Sequence, residues 1–227
     1  MTISPIPRID LHIHSEFSPC SRDTTIESIV TVAEKKGLKK IAITDHGRVS
    51  RPDWLAKYLS EVDRVRKKTH LDVLTGMEVD IKPRGRLAVE ANALRDLDVI
   101  IAALHWIPVL DILRKRSISS EYEAMILEAL DANHFHILAH PTGLFWTKRM
   151  QSETLDKVID RLKKEKIAVE INRHHNDPSL AFLEKCVEAG LSLTPSSDAH
   201  RLEEIGDFTW FENRIAPIQK PIRWIEI

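Results

Sequence analysis

Seven short runs rich in Ile and Val punctuate this chain: "RIDLHI" (8–13), "KKIAIT" (39–44), "DVLTGMEVDI" (72–81), "DVIIAAL" (98–104), "FHILAH" (135–140), "AVEI" (168–171) and "LSLTPSS" (191–197). Several are apolar almost throughout, which is the pattern of strands buried on both faces of a parallel sheet. Charged stretches of helical period lie between them. "TTIESIVTVAEKKG" opens on Thr24 and Thr25 as caps and closes on Gly37, and "RPDWLAKYLSEVDRVRKK" has Pro52 near its first turn. "SSEYEAMILEALDA", "SETLDKVIDRLKKEK" and "DPSLAFLEKCVEAG" follow, while "KPRGR" (82–86) reads as a hairpin turn. Seven such units fill 227 residues as a single domain, with no linker, repeat or low-complexity tract. The count is one short of an eightfold barrel, and an open doubly wound sheet competes with it.

Charge narrows the partners. A formal net charge of −1 argues against nucleic-acid binding by bulk electrostatics. The Lys/Arg clusters lie mostly on expected helices among acids. Only Cys20 and Cys186 are present, so no disulfide framework is expected, which suits a reducing compartment. "MTISPIPRID" has no apolar core of signal-peptide length and no window approaches a membrane span, so the expected location is the cytoplasm.

In either architecture the functional residues gather at the carboxyl ends of the strands. Those ends carry His12 and His14, then Asp45 and His46, Glu78, His105, His140, Glu170 with Asn172, and finally Asp198 with His200. Residues two apart on a strand share a face, so His12 and His14 stand side by side. One histidine at a strand end is usually a hydrogen-bonded bystander; six with carboxylates among them form a metal site. Of the other histidines, His70 lies in a connection. His136 stands about 13 Å back from His140 along its strand, toward the floor. His174 and His175, in "RHHND", suit either a loop surface or the site.

Neutral imidazoles with carboxylates point to Zn²⁺, Mn²⁺ or Fe²⁺ rather than Ca²⁺ or Mg²⁺. One ion takes three or four protein ligands, so His12, His14, His46, Glu78, His105, His140, Asp198 and His200 are enough for two or three. Such a centre lowers the pKa of a bound water toward neutrality and holds the oxygens of a phosphoryl group. A Walker loop, a G-x-S-x-G elbow and a G-x-G-x-x-G turn are all missing from the sequence.

"DLHIHS", "AITDHG", "GMEV", the His105 of "ALHW", "AHP" and "SSDAH" followed by "EIG" occur in the order of the polymerase and histidinol phosphatase (PHP) superfamily, which the chain resembles from Arg8 to about Gly206. The resemblance implies a distorted seven-stranded (β/α) TIM-like barrel, a single PHP-type domain over residues 1–227, and phosphoesterase activity. It implies His12, His14, Glu78 and Asp198 as ligands of one metal. Glu78, His105 and His140 would hold a second, and His46 and His200 a third. Glu78, His105 and Asp198 are the residues expected to carry catalysis.

The family often adds a His or Asp in the loop after the first motif. Here that loop reads "SEFSPCSRD", so Cys20 is the expected extra ligand, with Asp23 and Glu16 as competitors. A thiolate there tilts the metal toward zinc. Asp10 shares parity with His12 and is expected to orient an imidazole; Asp45 is expected either there or in a turn hydrogen bond.

The expected substrate is a small phosphomonoester or nucleotide. Its phosphate would be held by Arg173 and Arg201, with Arg48, Arg51, Lys148 and Arg149 also on suitable loops. Phe145 and Trp146 in "PTGLFWTKRM" offer a lid or stacking wall. Two readings compete: a TatD-like metal-dependent nuclease, which leaves His46 and His200 unexplained, and a non-catalytic, metal-stabilised regulatory module, which would be expected to have lost ligands. The sequence pattern sets no oligomeric state.

Overall fold

The computed structural model describes residues 5–106, 118–142 and 152–227. Within them one parallel sheet curls around a closed interior. Its strands are β1 (Ile9–Ile13), β2 (Lys40–Ile43), β3 (His46–Gly47), β4 (Asp72–Asp80), β5 (Val99–Ala103), β6 (Ile137–Leu138), β7 (Ala168–Asn172), β8 (Ser192–Ser196) and β9 (Arg223–Trp224). The order is β1-β2-β4-β5-β6-β7-β8-β9, with β3 beside β4. At the carboxyl end the curl closes through a parallel bridge of Ile13 to Ala199, and the His14 amide donates to the Ala199 carbonyl at 3.0 Å. At the other end β9 lies along the start of β8, pairing Ser192 with Arg223 and Leu193 with Trp224. The result is a distorted barrel of seven main strands, as expected, plus two two-residue strands that the Ile/Val pattern does not mark.

Each main strand presents one face inward and one to the helices. Leu11, Ala42, Val99, Ile101, Ala103, Ile137, Ala139 and Ala168 form an apolar plug inside the barrel. Above the plug the same inward positions become polar, with Glu78, Glu170, Asn172, Thr194 and Ser196 buried there. That change of chemistry along one face sets the floor and the mouth.

The outer face packs against helices α1 (Ile26–Lys35), α2 (Leu55–Arg66), α3 (Ala91–Leu94), α4 (Ile118–Ala132), α5 (Ser152–Glu165), α6 (Leu180–Ala189) and α7 (Phe208–Ile215). α1 starts where the Thr25 side chain accepts from the Ser28 amide, and it buries Ile26, Ile29, Val30 and Ala33 at helical spacing. α2 begins at Leu55, so Pro52 sits in the preceding turn, its carbonyl accepting from the Leu55 amide, rather than inside the helix. "KPRGR" turns as expected, bridging Ile81 to Leu87.

Two contacts hold the strands tightly near the mouth. Buried Tyr58 of α2 donates to the Ile43 carbonyl at 2.6 Å and accepts from the Gly76 amide at 2.8 Å, satisfying the backbone where β2 ends beside β4. A Cβ on Gly76 would meet Thr44 Cγ2 at 2.6 Å and the Val99 carbonyl oxygen at 2.9 Å, so only glycine lets β4 pass this close to its neighbours.

Candidate metal centre

The β1–β2 ladder is irregular between Asp10 and Ile13. Across that bulge Leu11 packs into the inner plug, yet His12 and His14 also join the buried polar cluster above it. The bulge breaks the parity expected to link Asp10 with His12. Asp10 orients no imidazole; its two oxygens accept from the Ser197 and Gly206 amides, each at 2.9 Å. It thus fixes the segment that carries Asp198 and His200, and burial pushes its carboxyl up to about 6. Asp45 anchors a turn, taking the Ser15 amide at 2.8 Å.

Glu78 is the hub, and β-register puts it there. β3 pairs with β4 so that His46 lies opposite Glu78, and β5 pairs Ile101 on the other side. The carboxylate divides the imidazoles between its oxygens. Oε1 lies 3.0 Å from His140 Nε2 and 3.2 Å from His105 Nε2. Oε2 lies 2.6 Å from His46 Nδ1, 3.6 Å from His12 Nε2 and 3.7 Å from His14 Nε2. Asp198 closes the second side, with Oδ1 2.9 Å from His14 Nε2 and 3.5 Å from His12 Nε2. His140 and Asp198 hold left-handed backbone, φ 52° and 53°, a conformation uncommon for non-glycine residues generally and adopted by Asp and His more often than by most.

Most of the rings are aimed by an outer partner on Nδ1. His12 gives Nδ1–H to Glu170 at 3.1 Å, His105 to Asp80 at 2.8 Å, and His200 to the Asp198 carbonyl at 2.8 Å. His14 Nδ1 meets Ser18 Oγ at 3.2 Å. A ring committed through Nδ1 offers Nε2 as a lone pair, the arrangement by which proteins present histidine to a metal. His46 has the reverse orientation, with Nδ1 turned to Glu78.

Three buried atoms in the centre make no well-aligned hydrogen bond, His12 Nε2, His46 Nδ1 and Glu78 Oε2, the last two facing each other at 2.6 Å. Buried polar atoms left unpaired are costly, and here they converge on one space. These donors fit divalent cations of the Zn²⁺, Mn²⁺ or Fe²⁺ class.

The electrostatics agree. Burial alone would raise Glu78, but His12 and His105 hold its carboxyl well below the usual range. Burial likewise opposes charge on His105, yet hydrogen bonds to Asp80 and Glu78 carry it to about 10. His12 is also raised despite burial, by Asp198, Glu170 and Glu78. For His14 burial prevails and its pKa falls to about 3. Positive charge is wanted at this centre, and protons and metal ions compete for the same atoms.

Around the hub the candidate residues fall into place unevenly. Cys20 groups with His14 and His46, each offering one donor atom within 4.8 Å of the others. Its competitors are engaged elsewhere: Glu16 accepts from the Ile26 amide at 2.8 Å and Asp23 from the Leu202 amide at 3.0 Å. The ring of His200 lies 4.5 Å from that of His14 and 6.5 Å from that of His46.

Arg201 is exposed beside His200. Arg173 donates to Asp207 at 3.3 Å, with Glu204 3.9 Å away. Arg51 is paired with Glu90 at 2.8 Å. Lys148, Arg149, Phe145, Trp146 and most of the long loop after His105 lie outside the described residues.

The sequence missed Asp80 and Glu170 as partners of imidazoles, although their even spacing from Glu78 and Asn172 on one strand face was the available signal. His136 accepts from the Ile100 amide at 2.9 Å, away from the hub.

The PHP domain family model matches residues 10–174. The DNA polymerase/3'-5' exonuclease PolX of Bacillus subtilis is 29% identical over 87% of this chain, which spans only 35% of that relative's length. A protein of Caldicellulosiruptor bescii named "Probable phosphatase" is 28% identical over 87% of this chain and 82% of its own. Among solved structures, the histidinol phosphate phosphatase of Lactococcus lactis, complexed with zinc, L-histidinol and phosphate, shares the fold. Its TM-score is 0.69 at 21% identity, covering 92% of this chain and 94% of that one. With the family matched across most of its length, and the fold and buried His/Glu/Asp centre in agreement, this chain belongs to the PHP domain family.

Proposed function

We propose that this phosphoester hydrolase cleaves a small phosphomonoester or nucleotide at a centre of two or three divalent ions. The observation that carries the reading is Glu78. One fully buried carboxylate, with imidazoles crowded on both of its oxygens, is a seat for bridged cations rather than a piece of core packing.

His12, His14, Glu78 and Asp198 would hold one ion, Glu78, His105 and His140 a second, and His46, His200 and Cys20 a third. Bound there, such ions lower the pKa of water and draw charge from a phosphoryl oxygen. The chain's own residues do the rest. Glu170 and Asp80 hold the tautomers of His12 and His105, so the donor atoms need no rearrangement. Arg201 at the rim takes a phosphate oxygen, and Arg173 shares its guanidinium between Asp207 and that phosphate. The apolar plug closes the floor, so substrate enters and leaves by the mouth.

Metal content per chain after purification without chelator, paired with p-nitrophenyl phosphate hydrolysis, tests this. Two or three Zn, Mn or Fe per chain with chelator-sensitive turnover are expected. Fewer than one ion per chain, and no turnover after Mn²⁺ or Zn²⁺ is added, would overturn the reading.

A further inference from the structure

The turn after β7 reaches over the centre from a strand to which the ligand assignment above gives no part. It is built rigidly. Asn172 and Asp177 pair across it, the amide of Asn172 donating to the Asp177 carbonyl at 2.6 Å and that of Asp177 returning the bond at 3.0 Å. Asn172 Oδ1 takes the His175 amide at 2.7 Å, and its Nδ2 donates to Asp198 Oδ2 at 3.0 Å. Buried Asp177 is clamped in turn by the amide and hydroxyl of Thr142. The side chains at the tip of this turn are therefore presented, not left to wander.

His175 is presented to the centre. Its Nε2 lies 3.3 Å from Asp198 Oδ2, the oxygen turned away from His12 and His14. Its ring lies 4.5 Å from that of His140, and His140, His175 and Asp198 each bring a donor atom within 4.8 Å of the others. The side chain keeps 36% of its surface exposed, so the ring lines the open side of the centre instead of filling core. The neighbouring His174 leans the other way, 4.6 Å from the ring of His200. The two rings meet edge to face at 5.1 Å, and of the pair His175 is the one set against His140, whose Nε2 lies 3.0 Å from Glu78 Oε1.

We propose that His175 is a ligand of the ion held by Glu78, His105 and His140. The side with three protein donors then gains a fourth from the β7 turn. A fourth protein donor fixes that ion in place and leaves fewer of its positions to solvent or substrate. The inference rests on the metal-centre reading above.

Cobalt titration of the full chain tests it, following the visible d–d bands together with competition by a chromophoric chelator. His175→Gly is expected to weaken one cobalt equivalent by tenfold or more, to change the bands of that equivalent, and to recover both when free imidazole is supplied. His175→Gln, which keeps an N–H for Asp198 but no imidazole, is expected to behave like uncomplemented His175→Gly. Wild-type titration curves and bands in both variants would overturn the assignment. So would a loss that glutamine repairs and imidazole does not, since His175 would then only orient Asp198. Wild-type protein that binds no cobalt would overturn the metal centre itself, whereas full binding unchanged by the variants removes only His175.

Discussion

His46 Nδ1 stands 2.6 Å from Glu78 Oε2 because β3, two residues long, pairs His46 directly with Glu78 across a parallel ladder. The other oxygen of the same carboxylate serves His105 and His140, so one residue links both halves of the centre. Glu78→Gln removes the charge while preserving shape. Expected are the loss of at least one ion per chain and a fall in turnover of about a hundredfold or more, with a folded barrel by circular dichroism. Full metal content and rate in this variant would show that Glu78 is a packing residue.

Asp80 and Glu170 touch imidazoles from behind. Each holds Nδ1 of its histidine, at 2.8 Å for His105 and 3.1 Å for His12, and so decides which nitrogen faces the centre. Asp80→Asn and Glu170→Gln should each weaken metal affinity by about 10- to 100-fold without removing a ligand. Chelator competition measures this directly. Because the ligands remain, excess metal should restore much of the turnover, which it would not do for His105→Ala.

How much of this was legible in the sequence follows from which signals are local. The Ile/Val runs mark the seven main strands because a two-sided burial pattern survives in one strand read alone. The ends of those runs locate His12, His46, Glu78, His105, His140 and Asp198 for the same reason. β3 and β9 were invisible, since neither lies in an unbroken apolar run as the two-residue β6 does, and both owe their pairing to β4 and β8. Asp10 was misjudged because parity assumes a regular strand, and the bulge before Ile13 depends on the β2 partner. His175 could not be separated from a surface loop, since its contacts are to Asp198 and His140, residues that the sequence sets apart from it and the fold brings together.

The titrations predict how the metal-free protein responds to pH. His105 is raised to about 10 by Asp80 and Glu78 against the opposing effect of burial, so its contribution to stability is complete below its unfolded value near 6.5 and is lost as pH rises toward 10. His14 is depressed to about 3 by burial, and its contribution is present above 6.5 and lost as pH falls toward 3. The melting temperature of chelator-treated protein should therefore peak between these arms and fall on both sides. His105→Gln should make the alkaline arm shallower, with His12, His46 and His140, which are also raised, supplying the remainder, and leave the acid arm in place. An alkaline arm unchanged in that variant would remove His105 as its source.

Cys20 stands where the family often has another residue type, and its loop sets the thiol beside His14 and His46 rather than beside solvent alone. The hydrogen bond to Cys20 helps raise the pKa of His46 against burial, so the thiol is electrostatically in contact with that ring. Sulfur favours zinc over manganese, whereas a hydroxyl does not. Cys20→Ser should therefore keep the fold and shift the preference of one site away from Zn²⁺ by roughly tenfold or more. Elemental analysis after reconstitution in equal Zn²⁺ and Mn²⁺ reads that shift, and the ions held through Glu78 should be unaffected. Identical metal ratios in the wild type and the variant would leave Cys20 as an unligated loop residue and reduce the third group of donors to His46 and His200.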